Sequence, residues 1–257
     1  MKKSITDFTV LSNTRLSSTQ FLLELSSDIL LNDVLPGQFV NVKVEDSPQT
    51  FLRRPFSIHS VDAKRNVLFL LIKEMGIGST KLASLQKGSN LNLILPLGNS
   101  FSFGNVKKAI LIGGGCGVAP LLFLAKKLHE KDIHCDILLG GRSSDDIVEV
   151  EEYQKYGTTH ITTEDGSLGE KGLVTKHSIF NSNKGWDMVY SCGPEPMMKS
   201  VAMYAKQNEI ECEVSLENTM ACGIGSCLCC VTDTIDGNIC VCTEGPVFNI
   251  KRLKWQI

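Results

Sequence analysis

Hydrophobic and polar residues alternate in short runs over the first part of the chain, residues 5–103. A period of two is typical of strands that bury one face. Turn-forming residues separate the runs, and strands at such short spacing predict a small antiparallel β-barrel. One helix is expected here, over residues 79–85, directly after Gly76 and Gly78. The predicted strands are residues 8–11, 19–25, 38–44, 56–61, 67–73 and 91–95.

The pattern changes after residue 105, where apolar runs alternate with segments of helical periodicity. Such alternation predicts a doubly wound parallel sheet with helices on both faces, and ligands bind at the carboxyl ends of its strands. The predicted strands are residues 107–112, 133–139, 159–162, 188–191 and 212–216. The predicted helices are residues 121–130, 145–156, 173–180 and 195–207.

Length and composition are those of a folded protein with more than one domain. The chain has 257 residues, 42% of them hydrophobic and 21% charged, and a net charge of −2 without a basic run, which argues against nucleic-acid binding. No apolar stretch reaches the roughly 20 residues that span a bilayer. The start of the chain has no apolar signal segment, so a cytoplasmic protein is expected, in which ten cysteines indicate metal or redox chemistry.

The cysteines concentrate in residues 220–230, MACGIGSCLCC, and in the CVC of residues 240–242. Four of them have the spacing C-x4-C-x2-C-x11-C, and its first three positions match a plant-type 2Fe–2S loop. Gly223 and Gly225 can adopt positive φ and let amide N–H groups point at a cluster. The predicted ligands are Cys222, Cys227, Cys230 and Cys242.

Other interpretations of these cysteines are weaker. Disulfides fit poorly with a cytoplasmic chain, and zinc sites usually offer two short C-x2–4-C pairs, for which Cys222 and Cys227 stand too far apart. Cys229 and Cys240 are close enough in sequence to compete as ligands, although spacing favours the other four. A hairpin over residues 232–239, with Asp236 and Gly237 as its turn, is expected to set the interval to the last cysteine.

Two features of the predicted barrel suit a pyrophosphate. Arg53 and Arg54 precede a strand, and arginine binds phosphate in a bidentate manner, although two arginines on a solvated edge would look the same. A glycine-containing turn leads into the predicted helix with Ser79 or Thr80 as its cap, and such an end offers free N–H groups to a phosphate. Together they make a pyrophosphate site plausible.

A glycine turn follows the first strand of the predicted parallel sheet. Its sequence, GGGCGVAP at residues 113–120, lacks the third glycine of G-x-G-x-x-G because Val118 stands there, and it is not a P-loop. Four glycines in five residues favour a ligand over a bare turn, because each glycine adds conformational entropy to the unfolded chain.

A second strand end reads CGPEPM at residues 192–197, where Pro196 falls in the first turn of a helix. Without further context, Cys192 would be a buried structural thiol. Arg142 would suit a ribose phosphate, whereas Asp145 and Asp146 would suit a free hydroxyl, so these residues leave the choice between NADP and NAD open.

The motif RPFS at residues 54–57 resembles the R-x-[YF]-S flavin motif of the ferredoxin reductase superfamily. The resemblance implies that Arg54 meets the FAD pyrophosphate, that Ser57 approaches the flavin ring, and that Phe56, in place of the commoner tyrosine, can stack without a hydroxyl. The G-G-x-G-x-x-P turn would bind the nicotinamide nucleotide, and the C-G-P-x-x-M motif would place Cys192 over the nicotinamide as the catalytic residue. The implied FAD residues are Arg54, Pro55, Phe56, Ser57, Leu71, Ile72, Lys73, Gly78 and Ser79. The implied nucleotide residues are Gly113, Gly114, Gly115, Gly117, Pro120, Gly193 and Pro194.

The chain as a whole resembles the electron-transfer subunits of dihydroorotate dehydrogenase B, through LRRPFSI, GGGCGVAP, CGP, MACGIGSCLCC and VCTEGPVF. The implied domains are an FAD barrel at residues 1–102, an NAD domain at 103–211 and a 2Fe–2S segment at 212–257. The resemblance also implies a catalytic partner that holds FMN and oxidises dihydroorotate in pyrimidine synthesis. Electrons would pass from FMN through the cluster and FAD to NAD⁺, in a heterotetramer of two such pairs.

Two other functions stay open at this stage. One is a flavin and iron–sulfur subunit of an NAD(P)-linked hydrogenase or of a ferredoxin:NADP transhydrogenase. The other is a binding or regulatory module that kept the fold and lost its redox function. A protein that converts between two-electron and one-electron transfer is favoured. Nicotinamide moves two electrons as hydride, an iron–sulfur cluster moves single electrons, and a flavin can exchange electrons with both.

Overall fold

The structure is a computed structural model that describes residues 2–181 and 184–257. Its N-terminal part consists of β1 (Ser4–Arg15), β2 (Gln20–Ser26), β3 (Phe39–Val42), β4 (Arg54–Ser57), β5 (Ser60–Asp62), β6 (Val67–Lys73), α1 (Ile77–Ala83) and β7 (Asn90–Leu97). The strands form one antiparallel sheet in the order β4-β3-β7-β1-β2-β6-β5. The end strand β4 also contacts β6, which lies next to the other end of the sheet, so the sheet curls into a barrel. Alternate side chains such as Phe21, Leu23 and Leu25 fill its interior.

Two details of the barrel differ from the sequence-based expectation. The predicted strand over residues 56–61 is two strands, because the chain bends between Ser57 and Ser60. The cap of α1 is Gly76, and neither Ser79 nor Thr80 holds that position. The Ser79 hydroxyl instead accepts the N–H groups of Met75 and Gly76, at 2.8 and 3.1 Å. It therefore stabilises the start of the helix from its third position.

A second sheet carries the remaining long strands. It consists of β8 (Lys108–Gly114), β9 (His134–Gly141), β10 (Thr158–Thr163), β11 (Glu170–Lys171), β12 (Met188–Cys192) and β13 (Glu211–Ser215), which are parallel to their neighbours, with α2 (Ala119–His129), α3 (Val150–Gln154) and α4 (Glu195–Gln207). The order is β11-β10-β9-β8-β12-β13, so the direction of winding reverses beside β8. Apolar clusters cover both faces of the sheet. The predicted antiparallel barrel and doubly wound parallel sheet are confirmed.

Two predicted helices of this region are wrong in extent. The helix expected over residues 145–156 is a single 3₁₀ turn (Ser144–Asp146) followed by α3, because Glu149 adopts left-handed backbone angles with φ +56°. The helix expected over residues 173–180 is two 3₁₀ turns, Val174–Lys176 and Ser178–Asn181. Side chains replace the helical hydrogen bonds there, since His177 Nδ1 accepts the N–H of Ile179 at 3.0 Å.

The C-terminal part is joined to the second sheet. It contains a hairpin of β14 (Val231–Thr234) and β15 (Gly237–Cys240), then α5 (Val241–Glu244) and β16 (Val247–Asn249). β16 pairs antiparallel with β13 and extends the sheet at its edge. The turn residues of the hairpin are Ile235 and Asp236, one position earlier than predicted, because Thr234 pairs with Gly237. The predicted division of the chain into domains after residues 102 and 211 stays a prediction. Three residues of the predicted domains, Met1, Ser182 and Asn183, lie outside the described residues.

Polar contacts tie the barrel to the second sheet. Lys73 Nζ lies 2.7 Å from Asp146 Oδ1, and the backbone N–H of Ser18 donates to Asp145 at 3.0 Å. The buried His59 is held between the two parts, with Nδ1 2.8 Å from the carbonyl oxygen of Ala119. None of the helices in the described ranges has the length and apolar character needed to cross a bilayer.

Candidate functional site

The four cysteines that spacing favoured lie in two pairs. The thiols of Cys222 and Cys227 contact each other, and those of Cys230 and Cys242 contact each other. No three metal-binding side chains converge on a single point in the described part of the chain. A two-iron cluster takes two thiolates on each iron, whereas a zinc ion needs four ligands around one centre. The paired arrangement therefore suits a 2Fe–2S cluster better than zinc.

Backbone N–H groups surround the sulfurs of the cysteine loop, which we define as residues 220–230. Cys222 Sγ accepts the amides of Ile224 and Ser226, at 3.4 and 3.3 Å, and Cys227 Sγ accepts the amide of Cys229 at 3.5 Å. Desolvation opposes ionisation of Cys222, but the amide and thiol hydrogen bonds outweigh it and lower its pKa to about 6. The loop therefore favours thiolate, the form that binds iron.

Glycine is required in the cysteine loop for backbone angles and for space. Gly223 and Gly225 have φ of +72° and +88°. A Cβ on Gly223 would lie 2.6 Å from Asn41 Nδ2 of the barrel, whose amide donates to the carbonyl oxygen of Cys222 at 3.2 Å. A Cβ on Gly225 would lie 2.8 Å from Thr243. The loop is thus fixed between β3 and α5.

The two competing cysteines differ in position. Cys229 is exposed, whereas Cys240 is half-buried and its thiol contacts that of Cys230. Exposure does not separate Cys229 from the candidate ligands, since Cys227 is exposed too, but the thiol of Cys240 contacts a candidate ligand directly.

A cavity of about 270 Å³ lies where the barrel, the second sheet and the C-terminal part meet. Barrel residues form one wall, the turn after β8 another, and the segment after β13 a third. Mostly apolar walls with a few polar groups are typical of cofactor sites. The lining residues are Phe39, Pro55, Phe56, Ser57, Leu71, Lys73, Met75, Cys116, Ala119, Ser215, Leu216, Glu217, Asn218, Met220 and Pro246.

The structure separates the two arginines that the sequence presented as a pair. Arg53 donates to the carbonyl oxygens of Asn41 and Asn92, at 3.2 and 3.0 Å, so it holds β3 and β7 together. Burial lowers the pKa of its guanidinium. The guanidinium of Arg54 has no hydrogen-bond or ion-pair partner among the described residues, and the side chain packs on Gly78, where a Cβ would lie 3.4 Å from Arg54 Nε. Only Arg54 is therefore free to bind an anion at the start of α1.

Not every residue of the predicted FAD set faces the cavity. Pro55, Phe56 and Ser57 of β4 line it, as do Leu71 and Lys73 of β6. Ile72 points the other way and is buried in the barrel core, as the alternation of a strand requires. The Ser79 hydroxyl is engaged in helix capping, which leaves the backbone N–H groups of the first turn as the donors at this end.

The glycine turn, residues 113–117, packs tightly against the strand end at residues 192–197. A Cβ on Gly114 would lie 2.5 Å from Met197 Sδ, and a Cβ on Gly117 would lie 2.4 Å from Gly193 Cα. A Cβ on Gly113 would lie 2.7 Å from Val118. Three of the four glycines are thus explained by protein contacts, which weakens the argument that their number requires a ligand. Gly115 faces open space and has φ +55°.

Cys192 is buried at the end of β12 and is not among the residues that line the cavity. Desolvation, with smaller contributions from the charges of Glu217 and Cys116, raises its pKa well above the usual range of a thiol. Gly193 has φ +151°, Pro194 caps α4, and Pro120 lies in the first turn of α2. The predicted nucleotide residues are therefore brought together, with Cys192 as a neutral thiol.

The residues considered for the ribose have other partners. The Asp145 carboxylate accepts a hydrogen bond from the backbone N–H of Ser18. The Asp146 carboxylate accepts hydrogen bonds from the Lys73 ammonium and, at 2.9 Å, from the backbone N–H of Arg142. The Arg142 side chain is exposed. Both aspartates thus join the barrel to the second sheet, where Asp146 is buried in the contact and Asp145 stays exposed.

Sequence reasoning missed three residues of the site. Asn41 holds the cysteine loop, Met197 fills the space over Gly114, and Glu217 lines the cavity. Met197 belongs to the CGPEPM motif and could have been found there. Asn41 and Glu217 belong to no motif, so only the fold reveals them.

Three family profiles match the chain in sequence order. The first is an oxidoreductase FAD-binding domain over residues 7–101, and the second is an oxidoreductase NAD-binding domain over residues 111–203. The third is the iron–sulfur cluster binding domain of dihydroorotate dehydrogenase B, over residues 217–254. The profiles fall on the barrel, on most of the second sheet and on the C-terminal part that contains the cysteine loop.

Curated relatives match over nearly the whole chain. The chain is 36% identical to a protein of Fusobacterium nucleatum named dihydroorotate dehydrogenase B (NAD(+)), electron transfer subunit, over 95% of this chain and 96% of the relative. A protein of the same name from Lysinibacillus sphaericus is 38% identical over 93% of this chain and 94% of the relative.

Solved structures with the same fold include oxidoreductases of several kinds. One, described as an NADH-dependent reduced ferredoxin-NADP oxidoreductase of flavin-based electron bifurcation, superposes with a TM-score of 0.87 at 26% identity, over 96% of this chain and 90% of that chain. A ferredoxin reductase in carbazole 1,9a-dioxygenase has a TM-score of 0.70 at 21% identity, over 82% of this chain and 69% of that chain, and shows the fold alone.

Proposed function

The chain belongs to the family of dihydroorotate dehydrogenase B (NAD(+)) electron transfer subunits, and we propose how its own residues perform that role. It is an oxidoreductase subunit with domains for FAD, for NAD and for an iron–sulfur cluster, and it transfers electrons between NAD and a catalytic subunit. Bound flavin supplies the conversion, because it exchanges hydride with nicotinamide and single electrons with a cluster. The observation that carries our proposal is the cavity whose walls come from all three parts of the chain.

FAD is held by the barrel face of this cavity. Arg54 and the first N–H groups of α1 bind the pyrophosphate, because the guanidinium lacks a protein partner and packs on Gly78. Pro55, Phe56, Ser57, Leu71 and Lys73 border the flavin ring. The ring of Phe56 offers stacking, and the Ser57 hydroxyl offers a hydrogen bond to the flavin edge.

The nicotinamide nucleotide lies on the glycine turn. Gly115 and the N-terminus of α2 offer backbone N–H groups to its phosphates, and the open space beside Gly115 admits them. Cys192 lies buried at the strand end beside the glycine turn, and its raised pKa keeps it protonated, so it cannot compete as a nucleophile. Ala119 and Cys116 close the cavity between the nucleotide and the flavin.

The cluster is ligated by Cys222 and Cys227 on one iron and by Cys230 and Cys242 on the other. Their paired contacts, the amide groups around Cys222 and the burial of Cys230 and Cys242 support this assignment. Met220 opens the cysteine loop and also lines the cavity, so the cluster and the flavin are adjacent.

The partner is a dihydroorotate dehydrogenase catalytic subunit, which we propose to contain FMN and to dock on the cysteine loop. Ile224 and Leu228 of that loop are 46% and 64% exposed, more than apolar side chains usually are. Electrons from dihydroorotate would pass from FMN to the cluster, then to FAD and NAD⁺, in pyrimidine biosynthesis. We further propose an assembly of two subunits of each kind in the cytoplasm.

Reconstitution with the partner tests the proposal. The purified chain, loaded with FAD and cluster, is mixed with an FMN-containing dihydroorotate dehydrogenase, and NADH formation is followed after dihydroorotate is added. We expect NADH in proportion to orotate, and a mass of two subunits of each kind by light scattering. A chain that binds neither flavin nor iron would instead be a binding module.

A second function is favoured by one observation, the TM-score of 0.87 to the NADH-dependent reduced ferredoxin-NADP oxidoreductase. A flavin and iron–sulfur subunit of such an enzyme would use the same cavity and loop with another partner. Electron transfer to or from reduced ferredoxin, with no response to the dihydroorotate dehydrogenase subunit, would select this alternative.

A further inference from the structure

Glu217 follows β13 and lies on the wall of the flavin cavity, between the second sheet and the cysteine loop. Its carboxyl group is the only one that lines the cavity, and it has no hydrogen-bond or ion-pair partner in the described part of the chain. Lys73, the only cation in the lining, is held by Asp146 at 2.7 Å. A carboxyl group left without a partner at a cofactor site is a candidate for proton transfer.

Other groups in the cavity are poor proton donors and acceptors near neutral pH. Burial, with a smaller contribution from Glu217, raises the pKa of the Cys116 thiol to about 11. Burial also raises the pKa of Cys192 well above the usual range of a thiol. Ser57 and Ser215 carry hydroxyl groups, which do not ionise in this range. The side chain of Glu217 is exposed where it borders the cavity, and the protein around its carboxyl raises its pKa above that of a free glutamate by desolvation.

We propose that Glu217 exchanges the proton that accompanies single-electron transfer between the flavin and the cluster. This inference rests on the proposed function, because it assumes that FAD occupies the cavity and that the cluster lies on the cysteine loop. Glu217 stands between those two sites, which is where such a proton would be needed.

The proton is required by the balance of the reaction. Hydride transfer from NADH to FAD moves one proton and two electrons together and gives FADH⁻ and NAD⁺. When FADH⁻ then gives two electrons, one at a time, to the cluster and onward to an acceptor, the proton at flavin N5 leaves, and the Glu217 carboxylate accepts it. In the opposite direction two electrons arrive from the cluster without protons, and the Glu217 carboxylic acid supplies the one that N5 takes. Solvent restores Glu217 through the cavity mouth.

Glu217→Gln in the full chain, loaded with FAD and cluster, tests this role in a single stopped-flow experiment with NADH. The first phase, bleaching of the flavin, is hydride transfer and needs no proton from Glu217. The second phase, reduction of the cluster with cytochrome c as the final acceptor, releases the proton. We expect the rate of the second phase relative to the first to fall about 100-fold, as for loss of a general base. Cluster reduction is also followed by its paramagnetic resonance signal, which does not depend on turnover.

The matched control is Glu213→Gln. Glu213 is a second carboxyl whose pKa is raised by burial, but it accepts the N–H of Ser102 at 2.9 Å and lies outside the cavity lining. We expect the ratio of the two phases to stay within twofold of the wild type, and Glu217→Asp to restore part of the second phase. A Glu217→Gln ratio equal to that of the wild type would overturn the role of Glu217.

The wild-type protein gives an independent measurement if Glu217→Gln fails to fold or loses FAD. Because the carboxylate must accept the proton, the second phase should accelerate as pH rises through the pKa of Glu217 and should slow in D₂O. The charged and titratable groups facing Glu217 are Cys116, Cys192 and Lys73, with Asp146 behind Lys73. A second phase independent of pH and of D₂O would overturn the proposal. If NADH failed to bleach the wild-type flavin at all, the proposed function itself would be wrong.

Discussion

The cysteine loop and the glycine turn are both short and rich in glycine, yet glycine has a different function in each. In the cysteine loop, Gly223 and Gly225 adopt positive φ, and backbone N–H groups close to them point at Cys222 Sγ. In the glycine turn, Gly114 and Gly117 provide space for Met197 and Gly193. One segment is shaped towards a ligand and the other mainly towards the rest of the protein.

This difference teaches how far glycine content can be interpreted. Ligand spacing in the cysteine loop is local, so the thiols are brought together by a few residues of known geometry. The number of glycines in the glycine turn is explained by contacts with a strand end almost eighty residues later, at residues 192–197. Only Gly115 keeps its side open, and it alone supports a ligand directly.

The largest expected effect is the loss of the cluster in Cys227→Ser. Removing one thiolate should abolish cluster binding and reduce electron delivery to the partner by at least about 100-fold, the upper range for loss of a metal-supporting residue. FAD should stay bound and NADH should still reduce it. Iron content measures cluster binding, flavin absorption measures FAD binding and its reduction by NADH, and reduction of the partner measures electron delivery. Cys229→Ser is the control, since Cys229 contacts Cys227 Sγ through its backbone N–H, which serine keeps. Loss of the cluster from Cys229→Ser but not from Cys227→Ser would show that Cys229 is the ligand.

Alanine substitutions in the glycine turn sharpen the comparison directly. Gly117→Ala places a Cβ 2.4 Å from Gly193 Cα, which is backbone and cannot move aside, so we expect a loss of about 3 kcal/mol in the free energy of unfolding. Gly115→Ala meets no atom but must adopt φ +55°, so we expect about 1 kcal/mol. Urea denaturation measures both. Equal losses would show that packing does not distinguish the two positions.

Arg53 and Arg54 extend the comparison to the start of β4, the strand that we propose borders the flavin. Arg54→Ala should weaken FAD binding about tenfold or more, because a charge-assisted hydrogen bond contributes about 1.5–3 kcal/mol. Arg53→Ala should instead lower stability, since Arg53 joins the backbones of Asn41 and Asn92. Flavin titration and thermal unfolding of both variants separate the roles. Unchanged FAD affinity in Arg54→Ala would contradict the pyrophosphate assignment.

The smallest expected effect concerns Asp146, beside the glycine turn. Burial opposes its ionisation, but Lys73 and the N–H of Arg142 outweigh burial and keep its pKa below the usual range. Its stabilisation is therefore present at neutral pH and is lost as pH falls through the folded-state pKa. Asp146→Asn should cost about 1 kcal/mol at pH 7. Denaturation at several pH values should show the difference from the wild type shrinking in acid; a constant difference would contradict the ion pair.

Much of the fold was predictable because it depends on local periodicity. Alternation over the first strands and the strand–helix order after residue 105 correctly predicted the barrel and the parallel sheet. The helices over residues 145–156 and 173–180 were wrong because a left-handed residue interrupts the first and a local side-chain hydrogen bond competes with the second. Glu149 is held in a left-handed conformation, and the His177 side chain takes the N–H of Ile179.

The sequence by itself determined the cofactor classes and the family, since the cysteine spacing and the flavin and nucleotide motifs are contiguous stretches. Only the tertiary structure decided which member of each motif is available to a ligand. It assigned Arg53 to backbone carbonyls and left Arg54 free, turned Ile72 into the barrel core, used Asp145 and Asp146 between domains, and placed Glu217 in the cavity. The reason is physical: a motif fixes residue type and spacing, but the partner of a side chain depends on atoms that are distant in the chain.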